Sequence, residues 1–378
     1  MTSIRIGIVG GGVGGLAAAI ALQKIGHQVA IFEQASRYGR VGADVNLTPN
    51  AVKVADGLGI SEALREKGAQ PTHRISRTWD TGEETSRLEM AAAAERNYSA
   101  PQVTIHRADL LDALTRRLPA GALVLEKRVA TVGNRGDRAF IRFADGSEQD
   151  FDLVVGADGI HSVVRTALFG VDHPEFTGLV SFRAAVPRDK IAKLPNIDAF
   201  TKWWGPDPAI QIVTFPLNRG REQFVFATTA QEGWREESWT LAGDVAELRE
   251  IYKDFHPEAR ALLDACTEVT KSALYVREPM SRWSDGRITL LGDACHPMVP
   301  FMAQGACMAL EDAVVLSRAM DGVPSSNVPA ALARYENTRK DRTARIQRNS
   351  RGNEWLKQGG NADWVYGYDA WKTELAAA

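Results

Sequence analysis

Ile4-Arg5-Ile6-Gly7-Ile8-Val9 runs directly into Gly10-Gly11-Gly12-Val13-Gly14-Gly15, and an Ala/Leu-rich stretch, Leu16 to Ile25, follows and is closed by Gly26. The first six residues are short, apolar and β-branched, the pattern of a buried strand. The glycines satisfy GxGxxG through Gly10, Gly12 and Gly15. Leu16 to Ile25 reads as a helix that stops at the glycine. Gln28-Val29-Ala30-Ile31-Phe32 then reads as a second strand, ending in Glu33.

Each glycine has its own physical task in such a unit. Gly10 permits the tight turn, Gly12 lets a pyrophosphate approach the backbone, and Gly15 lets the helix pack close to the strand. The helix start, with Val13 and Gly14, offers free N–H groups and the positive end of the helix dipole to phosphates. Glu33 lies 23 residues after Gly10, near the spacing of an acid that binds ribose hydroxyls. Gln34 and Arg40 are counted with the same site. The unit predicts dinucleotide binding and by itself leaves FAD and NAD open. A ligand-free glycine turn accounts for neither the close-approach glycines nor Glu33.

Two later segments narrow the choice. Asp152-Leu153-Val154-Val155-Gly156-Ala157-Asp158-Gly159 reads as a strand entering a tight turn, with Ile160 to Arg165 continuing as a helix. Arg287-Ile288-Thr289-Leu290-Leu291 is another apolar strand and runs into Gly292-Asp293-Ala294-Cys295-His296-Pro297. Gln304-Gly305-Ala306 then opens a helix. With GxGxxG, a DG pair and a GD pair in this order, the chain resembles the class A flavoprotein aromatic hydroxylases over nearly its whole length. The resemblance implies an α/β fold. A Rossmann-like FAD-binding domain of the GR2 type would carry an inserted antiparallel-sheet substrate domain and a C-terminal helical segment. It also implies that Gly292 and Asp293 meet the ribityl hydroxyls of FAD, and that the helix from Gly305 and Ala306 points at the flavin pyrimidine. Asp158 and Gly159 would turn beside the pyrophosphate, and Arg107 would reach the FAD phosphates or ribose.

On this reading residues 1–70, 98–172 and 277–350 make a discontinuous FAD domain. Residues 71–97 and 173–276 make the substrate domain, and 351–378 a C-terminal tail. Strands are predicted at 182–186, 209–215 and 222–227, and helices at 245–255 and 258–265. Ala330 to Asn353 reads as a long, solvated amphipathic helix. The formal net charge of −2 gives no electrostatic case for nucleic acid or a membrane surface. No apolar run approaches the roughly 18 residues that span a bilayer. Three cysteines without a CxxC pair read as buried bystanders of a cytoplasmic protein, not as metal ligands. A monomer or homodimer is expected. There is one Rossmann fingerprint, so the resemblance implies that NADH or NADPH meets the flavin transiently, as co-substrate.

The activity implied is a monooxygenase that uses NAD(P)H and O2 to hydroxylate a small ring-hydroxylated aromatic through a flavin C4a-hydroperoxide, with or without loss of a ring carboxylate. Thr201-Lys202-Trp203-Trp204, residues 291–298, residues 302–309 and Trp364-Val365-Tyr366-Gly367-Tyr368-Asp369 match a hydroxypyridine-oxidising subgroup. The expected substrate is therefore a hydroxypyridine such as 6-hydroxynicotinate or a relative. His296 and Pro300 would lie beside the isoalloxazine. Where the subgroup places histidines and a tyrosine, this chain has Asn46, Ala209, Val213 and Phe301, a less polar set. Asn46 and Gln211 either hydrogen-bond a ring oxygen or serve ordinary strand bonding. Arg183 is either a carboxylate partner or a surface or FAD-side residue. Three alternatives stand beside this reading: a salicylate- or hydroxybenzoate-type hydroxylase, an FAD-dependent reductase or dehydrogenase without ring hydroxylation, and a flavoprotein that only binds.

Overall fold

A computed structural model describes residues 3–39, 44–90, 92–238, 240–352, 355–357 and 361–378. Strand β1 (Arg5–Val9) passes through the glycine turn into α1 (Val13–Lys24) and returns as β2 (Gln28–Phe32), parallel to β1. β3 (Asp44–Leu47), α2 (Pro49–Leu58) and α3 (Ser61–Lys67) lead to β4 (His73–Thr78) and β5 (Glu84–Glu89). The chain then comes back through α4 (Ala92–Tyr98), β6 (Val103–His106), α5 (Arg107–Thr115) and β7 (Leu123–Val124). β8 (Val129–Arg135), β9 (Arg138–Phe143) and β10 (Glu148–Phe151) form a small antiparallel sheet before β11 (Leu153–Gly156) and α6 (Val163–Phe169).

The second half supplies β12 (Glu175–Pro187), β13 (Phe200–Trp204), β14 (Gln211–Leu217), β15 (Glu222–Ala230) and β16 (Ala242–Gly243). After α7 (Val245–Ile251) and α8 (Pro257–Asp264) come β17 (Val269–Val276), β18 (Ser284–Asp285) and β19 (Ile288–Leu290). The long helices α9 (Gly305–Met320) and α10 (Val328–Arg351) and the short α11 (Asp363–Tyr366) complete the chain.

Two sheets organise these elements among the described residues. One has the order β18-β19-β11-β1-β2-β7 and is parallel apart from its β18 edge. Its strands are apolar because helices and the small sheet cover both faces; Ile6, Ile8, Val154 and Leu290 are fully buried. The other has the order β16-β17-β12-β15-β14-β13-β4-β5. It departs from the antiparallel expectation at one place: β4 and β13 run parallel, with Phe200 opposite Arg74 and Lys202 opposite Ser76. β4 comes from far earlier in the chain, so no hairpin dictates its direction.

Strand alternation divides the second sheet into two faces. Phe182, Trp203, Ile212 and Val225 pack on the side covered by α7 and α8, together with Leu248, Tyr252 and Leu262. Phe200, Val213, Phe215 and Phe226 face the other way and cluster with Val299 and Phe301 from the loop before α9.

Two further expectations need correction. α6 begins at Val163 and not at Ile160. Residues 160–162 stay in the turn because Asp158 and Ser162 accept the first N–H groups of the helix, at Val163, Val164 and Arg165. The helix read as solvated also buries a charged face. Arg339 of α10 is 0 % exposed and pairs with Glu311 and Asp312 of α9. Interspersed arginines disguised that face, and Asn353 lies outside the described residues.

Candidate active site

The glycine turn is built as its spacing requires. Gly10 has φ 100°, and a Cβ there would come within 2.4 Å of the Ala157 carbonyl oxygen. A Cβ on Gly15 would stand 2.1 Å from the Gly10 carbonyl oxygen, whereas a Cβ on Gly12 would meet nothing within 4 Å. The turn is thus packed tight at Gly10 and Gly15 and open at Gly12. Glu33 accepts from Gly11 N and Ala35 N, both at 2.8 Å, which fixes its carboxylate beside the turn. Gln34 is exposed, and Arg40 lies outside the described residues.

In front of Gly12, Val13 and Gly14 lies a cavity of about 360 Å³, between the C-terminal ends of the parallel strands and the inner face of the second sheet. That position, outside the carboxyl ends of parallel strands, is where open α/β sheets bind ligands. On the nucleotide side it is lined by Arg107, Gly159, Gly292, Asp293, Gly305 and Ala306. Gln304 precedes α9, and its amide is held by Thr48 and Asn50, which leaves the backbone at the start of α9 turned to the cavity. Desolvation by the surrounding protein raises the Asp293 pKa, against the pull of His296 and Arg107, although the side chain stays open towards the cavity. Asp158 makes the turn whose Gly159 reaches the cavity: Ser162 Oγ, Val163 N and Val164 N donate to its carboxylate. It shapes the turn as a helix cap and does not line the cavity.

The opposite wall is the sheet. Phe200, Val213, Phe215 and Phe226 supply its apolar surface, and Pro300 and Phe301 close it from the loop before α9. Asn46 and Gln211 both reach it. Asn46 Oδ1 accepts from Gln102 at 2.7 Å, but Asn46 Nδ2 and both amide atoms of Gln211 are buried with no protein partner. Such orphans cost stability unless a ligand meets them. Ala209, aligned with a subgroup histidine, is not in the wall; its carbonyl accepts from Thr228.

His296 is not at the cavity either. Its imidazole is 1 % exposed, with Nε2 2.5 Å from Asp312 Oδ2, and Arg339 Nε donates to Asp312 Oδ1 at 2.7 Å. The expected place beside the isoalloxazine is thereby corrected to a structural one behind the cavity. Cys295, His296 and Asp312 bring three ligand-type atoms within 4.8 Å of one another. Burial pushes the Cys295 thiol up, and the Arg339 guanidinium occupies Asp312, so the group is a poor cation site.

Three cavity residues carry charge that the site reading had not placed there: Asp44, Arg74 and Lys202. Arg183, left between two roles, also lines the cavity. Burial lifts the Asp44 carboxyl to about 6, although Arg183 and His106 pull the other way. Burial lowers Arg183 to about 10 against the attraction of Asp44. Single charges within strands read from sequence as solvent-facing; for Arg74 and Lys202 the pairing of β4 with β13 brings them to one sheet.

A glycine turn open to phosphate, a helix start aimed into a cavity and a ring-sized apolar slot beside it define a nucleotide-cofactor oxidoreductase. The residues fit FAD: Gly12 leaves room at the turn, and Asp293 offers a carboxylate to sugar hydroxyls. The family model described as FAD binding domain matches residues 3–350. The chain is 38 % identical over 371 residues to a 6-hydroxynicotinate 3-monooxygenase of Bordetella bronchiseptica, covering 98 % of this chain and 97 % of the relative. It is 37 % identical over 374 residues to the enzyme of that name from Pseudomonas fluorescens, covering 99 % and 97 %. Among solved structures, HpxO of Klebsiella pneumoniae complexed with FAD and uric acid aligns with TM-score 0.83 at 26 % identity, over 96 % of this chain and 90 % of that one. The chain belongs to this FAD-binding family and is an FAD-dependent monooxygenase of the aromatic-hydroxylating type. Among the described residues no helix is long and apolar enough to cross a membrane.

Proposed function

We propose that this chain hydroxylates a small aromatic ring that already carries a hydroxyl, a hydroxypyridine first of all, with NADH or NADPH as electron donor and O2 as oxidant. The observation that carries this reading is the pair of buried, unpartnered amides, Asn46 Nδ2 and Gln211, beside the apolar surface of Phe200, Val213, Phe215, Phe226 and Phe301. The apolar side chains take the ring faces and exclude water, and the amides orient ring oxygen or nitrogen atoms. When bound, FAD supplies the oxygen-activating redox chemistry. Gly12, Val13, Gly14, Arg107, Asp293, Gly305 and Ala306 would hold it. Val213 and Phe301 give the ring an apolar seat, which favours a substrate with an apolar substituent, and Arg74 and Arg183 elsewhere in the same cavity suit an anionic one. The three buried free cysteines suit a reducing cytoplasm, and a monomer or homodimer is sufficient because this chain alone encloses the cavity.

The test is NAD(P)H oxidation by FAD-loaded protein against a panel of hydroxypyridines and hydroxybenzoates, with product masses recorded. A compound that accelerates oxidation and gains one oxygen supports the reading, and loss of CO2 as well marks the decarboxylating variety. Accelerated oxidation with no oxygen incorporated into any compound would point to a reductase.

A further inference from the structure

We infer that Arg74 is the residue that selects the substrate by an anionic substituent, a ring carboxylate, over a neutral one; the inference rests on the aromatic-hydroxylase reading above. Arg74 belongs to β4 and stands opposite Phe200, the first residue of β13. Both line the cavity, and Arg74 is only 5 % exposed. Its guanidinium carbon lies 5.0 Å from the centroid of the Phe200 ring. Phe200 in turn stacks on Phe215, with centroids 5.3 Å apart and planes 3° from parallel. A permanent cation is therefore fixed beside the apolar surface that would seat a ring.

The protein leaves most of this guanidinium unused. Its one hydrogen bond runs from Nη2 to the Trp355 carbonyl oxygen and is long, at 3.5 Å. Among the described residues its other N–H groups meet no acceptor and no carboxylate pairs with it. Lys202 and Lys357 on the same flank are basic as well. The acids of the cavity are placed elsewhere. Asp293 stands on the nucleotide side, and Asp44 is drawn to Arg183 and His106. Arg183 is on β12, and β15, β14 and β13 lie between β12 and β4, which sets those two strands about 19 Å apart. The wall thus carries an acid–base pair at one flank and a lone guanidinium at the other. A buried cation without a countercharge is costly, and an anion that reaches it removes that cost. The planar fork of arginine matches the two oxygens of a carboxylate. No bond is made or broken in this role; the group orients the ring.

The probes are 6-hydroxynicotinate and 4-hydroxybenzoate, each beside its carboxamide, titrated by calorimetry into the oxidised, FAD-loaded full chain. The wild-type protein should bind at least one acid more tightly than its carboxamide by about tenfold or more. Arg74→Met should bind acid and carboxamide alike, by loss of affinity for the acid alone. Arg74→Lys, a point charge without the fork, should keep an intermediate preference. Arg74→Gln replaces the methionine variant if that protein fails to retain FAD. A wild type that prefers neither acid overturns the assignment, as does a preference that survives in Arg74→Met. Equal weakening of acid and carboxamide in Arg74→Met overturns it too, since it would place the ring hydroxyl, which both share, at Arg74. With an acid that the panel identifies as substrate, Arg74→Met should raise KM by about tenfold or more and leave kcat nearly unchanged. If no panel compound is turned over, the proposed function fails while the acid–carboxamide comparison still judges Arg74.

Discussion

The His296 imidazole and the Asp312 carboxylate meet at 2.5 Å with at most 1 % of either side chain exposed. Asp312 also accepts from Arg339 at 2.7 Å and from Gly292 N at 3.1 Å. One carboxylate thus ties α10 and the His296 loop to the turn that presents Asp293. Asp312→Asn leaves Arg339 with half its countercharge and weakens two further bonds. Breaking a buried pair from one side costs about 3–5 kcal/mol. The expected result is a clear drop in the thermal midpoint together with weaker FAD retention. A midpoint equal to the wild type would show that the network contributes nothing.

The glycine turn predicts opposite outcomes two and five residues after Gly10. Gly15→Ala forces a methyl to 2.1 Å from the Gly10 carbonyl oxygen, so the turn must open and the protein should purify without FAD. Gly12→Ala meets no protein atom within 4 Å. It should fold with a wild-type melting curve in the absence of cofactor and bind FAD at least tenfold more weakly. Equal FAD affinity in Gly12→Ala would remove Gly12 from the cofactor site.

Gln211 sets stability against binding. Both of its amide atoms are buried without a partner, and each such group costs about 1–3 kcal/mol. Gln211→Leu should therefore raise the thermal midpoint of the substrate-free protein while it raises KM. A variant that is less stable, with KM unchanged, would show the amide to be part of the fold alone.

Asp44 should make stability depend on pH in a defined direction. Burial is the main cause that lifts its folded pKa to about 6, above the unfolded value of about 3.9. A raised folded value gives a contribution that is full below pH about 4 and is lost as the pH rises through 6. Asp44→Asn should melt with the wild type at pH 4 and above it at pH 8, by on the order of 2 kcal/mol. Coincident melting at pH 8 would contradict the sign.

The fold was legible where the signal was local. The strand, three glycines, helix and second strand lie within some thirty residues, and each constraint there is steric. Strands at 209–215 and 222–227 were legible from their composition, but which of their residues face the cavity was not, because both faces of β14 and β15 are buried. Arg74 and Lys202 were not legible as cavity residues, because their inward direction depends on the parallel pairing of β4 with β13, a contact between distant segments. Arg339 was hidden for a related reason: its partners Glu311 and Asp312 sit on another helix that itself reads as ordinary and amphipathic. His296 was drawn to the cavity by its neighbours in sequence, but the short helical turn at Gly292–Ala294 swings its side chain the other way.

The cavity has two walls of different origin, and this bears on how such a catalyst changes its diet. The cofactor wall is made of turns whose geometry leaves little room for substitution. The proposed substrate wall is one face of β13, β14 and β15, where Phe200, Lys202, Gln211, Val213, Phe215 and Phe226 line the cavity and alternate neighbours belong to a separate core under α7 and α8. Exchanges at positions 200, 202, 211, 213 and 226 can therefore rewrite the menu of accepted rings while the oxygen chemistry and the outer core are inherited intact.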